Sequence, residues 1–292
     1  MTDMKYRYLR GALVLGLAAS LFACGKSQPE SEAVYGAVDD LYDAVVEAAA
    51  DYSIITEIDH SRLAAESGEV MPPARVVLFS DPETNTAILQ QVPLAGLDLP
   101  FRVLAYAEAG TPRVIATPAG FLEKRHGLEG QALRHYRDQL AAVLASLPQE
   151  SIVDFDTSTV SKNQGIKKLE SIHDFEQTIE RLKTDILAEG DTIWFGEIDF
   201  QAEAKMFEAE LPRLTLLLFG APGPGAKAMA DFPRMGLDAF CQKVLVHELP
   251  DGQVNAYFNE MPELAKMHYS DSALPHMVIN RRMGATLSGA VE

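Results

Sequence analysis

The triplet Glu57-Ile58-Asp59 occurs a second time as Glu197-Ile198-Asp199, and its spacing of 140 residues recurs along the chain. Phe79 and Pro82 of "VVLFSDP" return as Phe219 and Pro222 of "LLLFGAP", and Gly96-Leu97-Asp98 returns as Gly236-Leu237-Asp238. Pro72 pairs with Pro212 and Pro93 with Pro233 at the same offset. A gap-free offset held across separate blocks marks the duplication of one unit, of ordinary domain size at about 100–150 residues. A duplicated domain joined by a short link commonly packs on its copy as a two-fold homodimer would. Extensive contact between the copies, across one shared surface, is therefore expected.

Copy two shows the plan of one unit. "GIKKLES" reads as a short strand, and "SIHDFEQTIERLKTDIL" places Phe175, Ile179, Leu182 and Ile186 at the spacing of an amphipathic helix. Ser171 serves as its N-cap and Gly190 as its stop. "TIWFGEIDF" and "LTLLLFG" are β-branched and aromatic strands, "QKVLVHELPDGQVNAYF" is a hairpin around PDG, and "ALPHMVINRRMGATL" closes as a helix. Helices segregated against a largely antiparallel sheet make each unit α+β. Copy one has only the polar "GKSQPES" where copy two has its first strand. The alternating "SIVDFDTSTV", Ser151 to Val160, is expected to fill that vacant strand position. "GAPGPGAKA" imitates a phosphate loop, but Ala226 intervenes before Lys227 and no Ser or Thr follows. It reads as a turn.

"EIDHSRLAAESG" and "LAGLDLPFRVL" in copy one, with "LLLFGAPGPG" in copy two, resemble the domain of unknown function 302 family. The resemblance covers most of residues 31–140 and 163–292. It implies two tandem copies of a β-α-β4-α, TATA-binding-protein-like domain, and the duplication leads us to expect them packed as a pseudo-dimer. It carries no activity and no catalytic residues. The domains are taken as 31–161 and 162–292, after a signal peptide over 1–23 and a tether over 24–30.

That assignment of the amino terminus has its own grounds. Lys5, Arg7 and Arg10 precede an uncharged apolar run, Gly11 to Ala23, which is shorter than the about 20 residues a spanning helix needs. This is the grammar of a secretory signal. Leu21-Phe22-Ala23-Cys24 resembles the bacterial lipobox, which implies cleavage before Cys24 and attachment of palmitate-type acyl chains there. Several such chains hold firmly where one holds marginally. The implied address is the cell envelope, anchored at the periplasmic face. Gly25, where an aspartate would signal inner-membrane retention, leans toward the outer membrane.

The net charge is −17, and loss of residues 1–23 makes it −19. A chain this acidic repels phosphate backbones, so nucleic acid is not an expected partner. The expected partners are the membrane, through the anchor, and an envelope protein or small ligand. Beside Cys24 the only cysteine is Cys241, which reads as a small buried hydrophobe. No cofactor and no metal is expected. His126 and His135 in copy one, and His268 and His276 in copy two, are too widely spaced for i,i+4 ligation and read as helix-end and surface residues.

The candidate ligand-binding residues are the repeated acids Glu57, Asp59, Glu197 and Asp199. Asp59 and Asp199 each stand before a helix-favouring segment, where an aspartate caps. A carboxylate pair at a pocket edge would instead serve acid–base work or cation binding. The expected function is a non-enzymatic ligand- or protein-binding module. The alternative is a carboxylate-based enzyme or metal-binding protein using Glu57/Asp59 or Glu197/Asp199.

Overall fold

The computed structural model describes residues 30–292; Cys24 and the proposed signal peptide lie outside them. Copy one runs α1 (Glu32–Ala48), β1 (Ser53–Asp59), α2 (His60–Glu66), β2 (Ala74–Ser80), α3 (Pro82–Leu89), a 3-10 turn (Pro93–Leu97), β3 (Phe101–Glu108), β4 (Thr111–Ala116), α4 (Ala119–His126) and α5 (Gln131–Leu144). Copy two runs β5 (Ile166–Ser171), α6 (Phe175–Ala188), β6 (Ile193–Asp199), α7 (Phe200–Lys205), β7 (Leu214–Gly220), α8 (Pro222–Met229), a 3-10 turn (Pro233–Gly236), β8 (Gln242–Glu248), β9 (Val254–Asn259), α9 (Met261–Tyr269) and α10 (Leu274–Val291). With its short helices set aside, copy two is β-α-β4-α. The fold is α+β, with one antiparallel sheet in each half.

The elements form for local reasons. Helix α6 buries Phe175, Thr178, Leu182 and Ile186 along one stripe, and Asp174, not Ser171, caps it by accepting from Gln177 N at 2.9 Å. Strand β7 is a continuous buried run, as befits a central strand covered on both faces. The segment expected to be a turn at Gly220 to Ala228 is helix α8, because Pro222 and Pro224 occupy its first turn, where a missing N–H costs nothing.

The sheets are ordered β1-β2-β3-β4 and β5-β9-β8-β7-β6. Among the described residues, copy one therefore shows no strand equivalent to β5. The segment from Ser151 does not supply one. Its single ladder contact is a parallel bridge from Ile152 to Val114 on the edge of β4, with Val153 N donating to Val114 O at 2.8 Å. The chain touches the vacant place and leaves it. Asp154 and Asp156 lie on the exposed stretch that follows, where desolvating carboxylates beside a strand edge would be unfavourable.

Each sheet has one face under its own long helices and the other against the opposite copy. The 3-10 turn of copy one lies on β7, β8 and β9, and that of copy two lies on β2 and β3. Helix α2 packs on α8 as α7 packs on α3. The close approach needs the repeated glycines: a Cβ on Gly96 would stand 2.9 Å from Leu245 Cδ1, and one on Gly236 would stand 3.1 Å from His60 Cδ2 and Leu104 Cδ1. One continuous hydrophobic core runs through both copies, from Val38 to Ile279. A second, smaller core lies under α6 and α10 in copy two.

Candidate functional site

The repeated acids are placed by the β1–α2 and β6–α7 junctions, and they are not brought together. Asp59 caps α2, accepting from Arg62 N at 2.8 Å and Ser61 Oγ at 2.8 Å. It also pairs with the Arg62 guanidinium and lies 3.5 Å from Arg75 Nε. Asp199 caps α7, accepting from Ala202 N at 2.9 Å. Glu57 accepts from the Tyr42 hydroxyl at 2.7 Å. Burial, and then that bond, push the Tyr42 pKa up. Glu197 is exposed and meets Lys183 at 3.4 Å. No carboxylate pair converges here.

The structure assembles a different set of charges between the copies. Gly-Leu-Asp is the end of each 3-10 turn, and it buries Asp98 and Asp238 completely. Each aspartate accepts from a histidine in the last turn of the following short helix: His126 Nε2 to Asp98 at 2.6 Å, and His268 Nε2 to Asp238 at 2.7 Å. Arg102 on β3 and Lys243 on β8 hold equivalent positions, since they stand opposite Leu78 and Leu218 in the two ladders. Arg102 crosses to Asp238 Oδ1 at 3.0 Å and lies 3.7 Å from Asp98. Lys243 Nζ donates to the backbone oxygen of Asp238 at 2.8 Å. Arg125 grips both oxygens of Asp98, at 2.8 and 2.7 Å, and reaches copy two at Asn259 Oδ1 (2.6 Å) and the Gln164 carbonyl (2.8 Å).

The electrostatics follow from burial and pairing. Burial raises the Asp98 carboxyl, but Arg125 and the His126 bond outweigh it and hold the pKa well below the carboxylate range. Burial likewise opposes Asp238, and Arg102 with His268 wins there too. Burial, reinforced by Arg102, lowers Lys243 to about 8. Two carboxylates face two guanidiniums and the Lys243 ammonium, so each buried carboxylate has cations beside it. The void beside it, lined by Asp238, Lys243 and Asn259, is about 10 Å3, too small for a substrate. The His–Asp pairs have the form of acid–base dyads and the surroundings of a structural clamp.

His126 and His268 do stand at helix ends, but the reading of these histidines as surface groups is corrected. His126, His268 and His276 are buried; only His135 is exposed. The repeated Gly-Leu-Asp was the available signal. Between Asp98 and Arg102 the copies differ by one residue, and by His126 the offset has grown to 142, which hides the equivalence from a fixed-offset comparison. Glu203 on α7 also went unmarked. Burial raises its pKa to about 7, and its Oε2 has no partner among the described residues. It stands where copy one has Leu63.

Copy two presents a sizeable concavity in its helix–sheet layer. About 110 Å3 lies between Ile186 of α6, Phe219 of β7, Gln242 of β8, and Ile279, Met283 and Leu287 of α10. Thr192, Glu189 and Arg282 form part of the rim. Arg282 is paired with Glu189 and with Asp191, the latter at 2.7 Å, and Thr286 donates to Glu189.

The family model described as "Domain of unknown function DUF302" matches residues 30–147 and 167–291. The chain belongs to the DUF302 family. Its copies thus carry the family's sequence pattern twice. Over 79 residues the chain is 38% identical to proteins named "Fluoride-specific ion channel FluC 1" from Brucella suis biovar 1 (strain 1330) and Brucella abortus biovar 1 (strain 9-941). That segment is 26% of this chain and 30% and 28% of theirs, so the chain spans under a third of the curated relatives it matches. A solved DUF302 protein from Bacillus stearothermophilus aligns with 44% of this chain and 98% of its own, at 17% identity and a TM-score of 0.39.

Proposed function

We propose that this DUF302 chain is a non-enzymatic binding module of the cell envelope whose second copy holds a small ligand. The observation that supports this reading is the half-open apolar cavity under α10. A concave apolar wall with a few polar groups at its rim is the common form of a small-molecule site. Leu274, Met277 and Val278 of α10 are exposed beside it, Val278 on its lining. The charged cluster between the copies is spent on holding them together, and copy one acts as the scaffold.

The address is part of the proposal. Acyl chains on Cys24 tether the module at the periplasmic face, the outer membrane being favoured by Gly25. A segment shared with proteins named as ion channels suits a chain that works at a membrane. Cys24→Ser should abolish palmitate labelling; unchanged labelling would refute the anchor. For binding, native mass spectrometry of the full chain extracted from membranes should show a small molecule retained by the parent and lost in Met283→Trp. Full retention in a folded Met283→Trp protein would refute the site.

A further inference from the structure

The two copies solve the same packing problem differently. In copy one, four rings fill the space between the sheet and its long helices. Phe79 and Phe101 stack at 5.2 Å, Phe101 and Tyr136 at 4.3 Å, and Tyr52 leans on Phe79 and Phe101 at 5.3 and 5.9 Å. Of the four equivalent positions in copy two, only Phe219, at the place of Phe79, is aromatic. Thr192 stands at the offset of Tyr52. Gln242 stands opposite Phe219 as Phe101 stands opposite Phe79. Ile279 takes the step of the buried stripe (His276, Ile279, Met283) that Tyr136 takes in Leu133, Tyr136, Leu140. Three rings have gone, and the cavity lies where they would be.

We infer that the copy-two cavity takes a single-ring, uncharged aromatic molecule carrying one hydrogen-bonding substituent, a phenol-class ligand; this rests on the binding reading above. The volume fits a ring: about 110 Å3 here, half-open to solvent, against about 150 Å3 for an enclosed cavity that holds benzene. Phe219 offers the stacking face that Phe79 offers Phe101. Gln242 supplies the polar contact. It is only 8% exposed, lines the cavity, and its amide has no hydrogen-bond partner among the described residues. That amide faces the open cavity with no protein partner, so a ligand hydroxyl can meet it directly and gain a hydrogen bond. The rim refuses anions, because Arg282 is shared by two carboxylates, Glu189 and Asp191.

The test is calorimetric titration of the full chain with phenol, benzene, benzoate and cyclohexanol, with thermal shift in parallel, since a ligand of the folded state raises Tm. Phenol should bind at least tenfold tighter than benzene, benzoate or cyclohexanol. Gln242→Leu should erase the preference over benzene while keeping benzene binding. Thr192→Tyr and, from the opposite wall, Ile279→Tyr each restore a copy-one ring and should weaken phenol at least tenfold. Two such variants on separate elements guard against one failing to fold. Cyclohexanol binding as tightly as phenol would overturn the aromatic class and leave the binding reading standing. Binding of none of the four would overturn the ligand class, and the native mass spectra then decide the binding reading separately. Unchanged phenol affinity in a folded ring-restoring variant would overturn the placement.

Discussion

Replacing Asp238 with alanine removes an acceptor that three buried donors share: Arg102 Nη2 at 3.0 Å, His268 Nε2 at 2.7 Å and Thr117 Oγ1 at 3.3 Å. Arg102, 1% exposed, is then left with Asp98 at 3.7 Å and the Thr117 hydroxyl. Breaking a buried ion pair by deleting one partner costs about 3–5 kcal/mol, because the surviving charge is stranded. For a cooperative unit of about 150–250 residues that lowers Tm by about 6–20 °C. Asp238 has a depressed pKa, so its contribution is present above the unfolded carboxylate pKa, about 4, and is lost as pH falls below it. Urea titrations of parent and Asp238→Ala should therefore differ most at neutral pH and converge in acid. Asp238→Ala combined with Arg102→Met should recover part of the loss, since both charges are gone. A loss under about 1 kcal/mol at pH 7, the scale of a surface pair, would refute the clamp.

Asp59→Ala and Asp199→Ala should each cost about 0.5–2 kcal/mol, with Asn nearly restoring the parent in melting curves, as caps behave; equal or higher stability of all variants would reinstate a functional carboxylate. Gly96→Ala forces a Cβ against buried Leu245 and Phe200, and overpacking there should cost about 1–3 kcal/mol by urea denaturation. Glu203 has its pKa raised by burial to about 7, so its stabilising protonated form is fully present below the unfolded value and lost as pH rises through about 7. Stability should fall across that window, and Glu203→Gln should flatten the fall.

The local parts of the fold were legible because local pattern determines them. Phe175, Leu182 and Ile186 announce α6 by spacing, and PDG announces the β8–β9 hairpin. Asp59 and Asp199 announced their caps, although Asp174 rather than Ser171 starts α6. The segment after Ser151 alternates like a strand, yet alternation cannot tell how many residues find a partner, and only Ile152 does. Arg102, Arg125 and Lys243 look like surface charges in any window; docking of the copies buries them, and no local period encodes that. The cavity is a difference between copies. It becomes visible only when Gln242 and Phe101 are aligned through their strand partners, one residue off the repeat's offset.

The central claim is that copy two is open for a ligand where copy one is closed. A crystal structure of the full chain purified from its own cells tests it directly. The account predicts ring-shaped density on Phe219, with a polar atom at hydrogen-bond distance from the Gln242 amide, while the four rings of copy one stay packed. A cavity closed by Met283 and Ile279, or holding water alone, would contradict it.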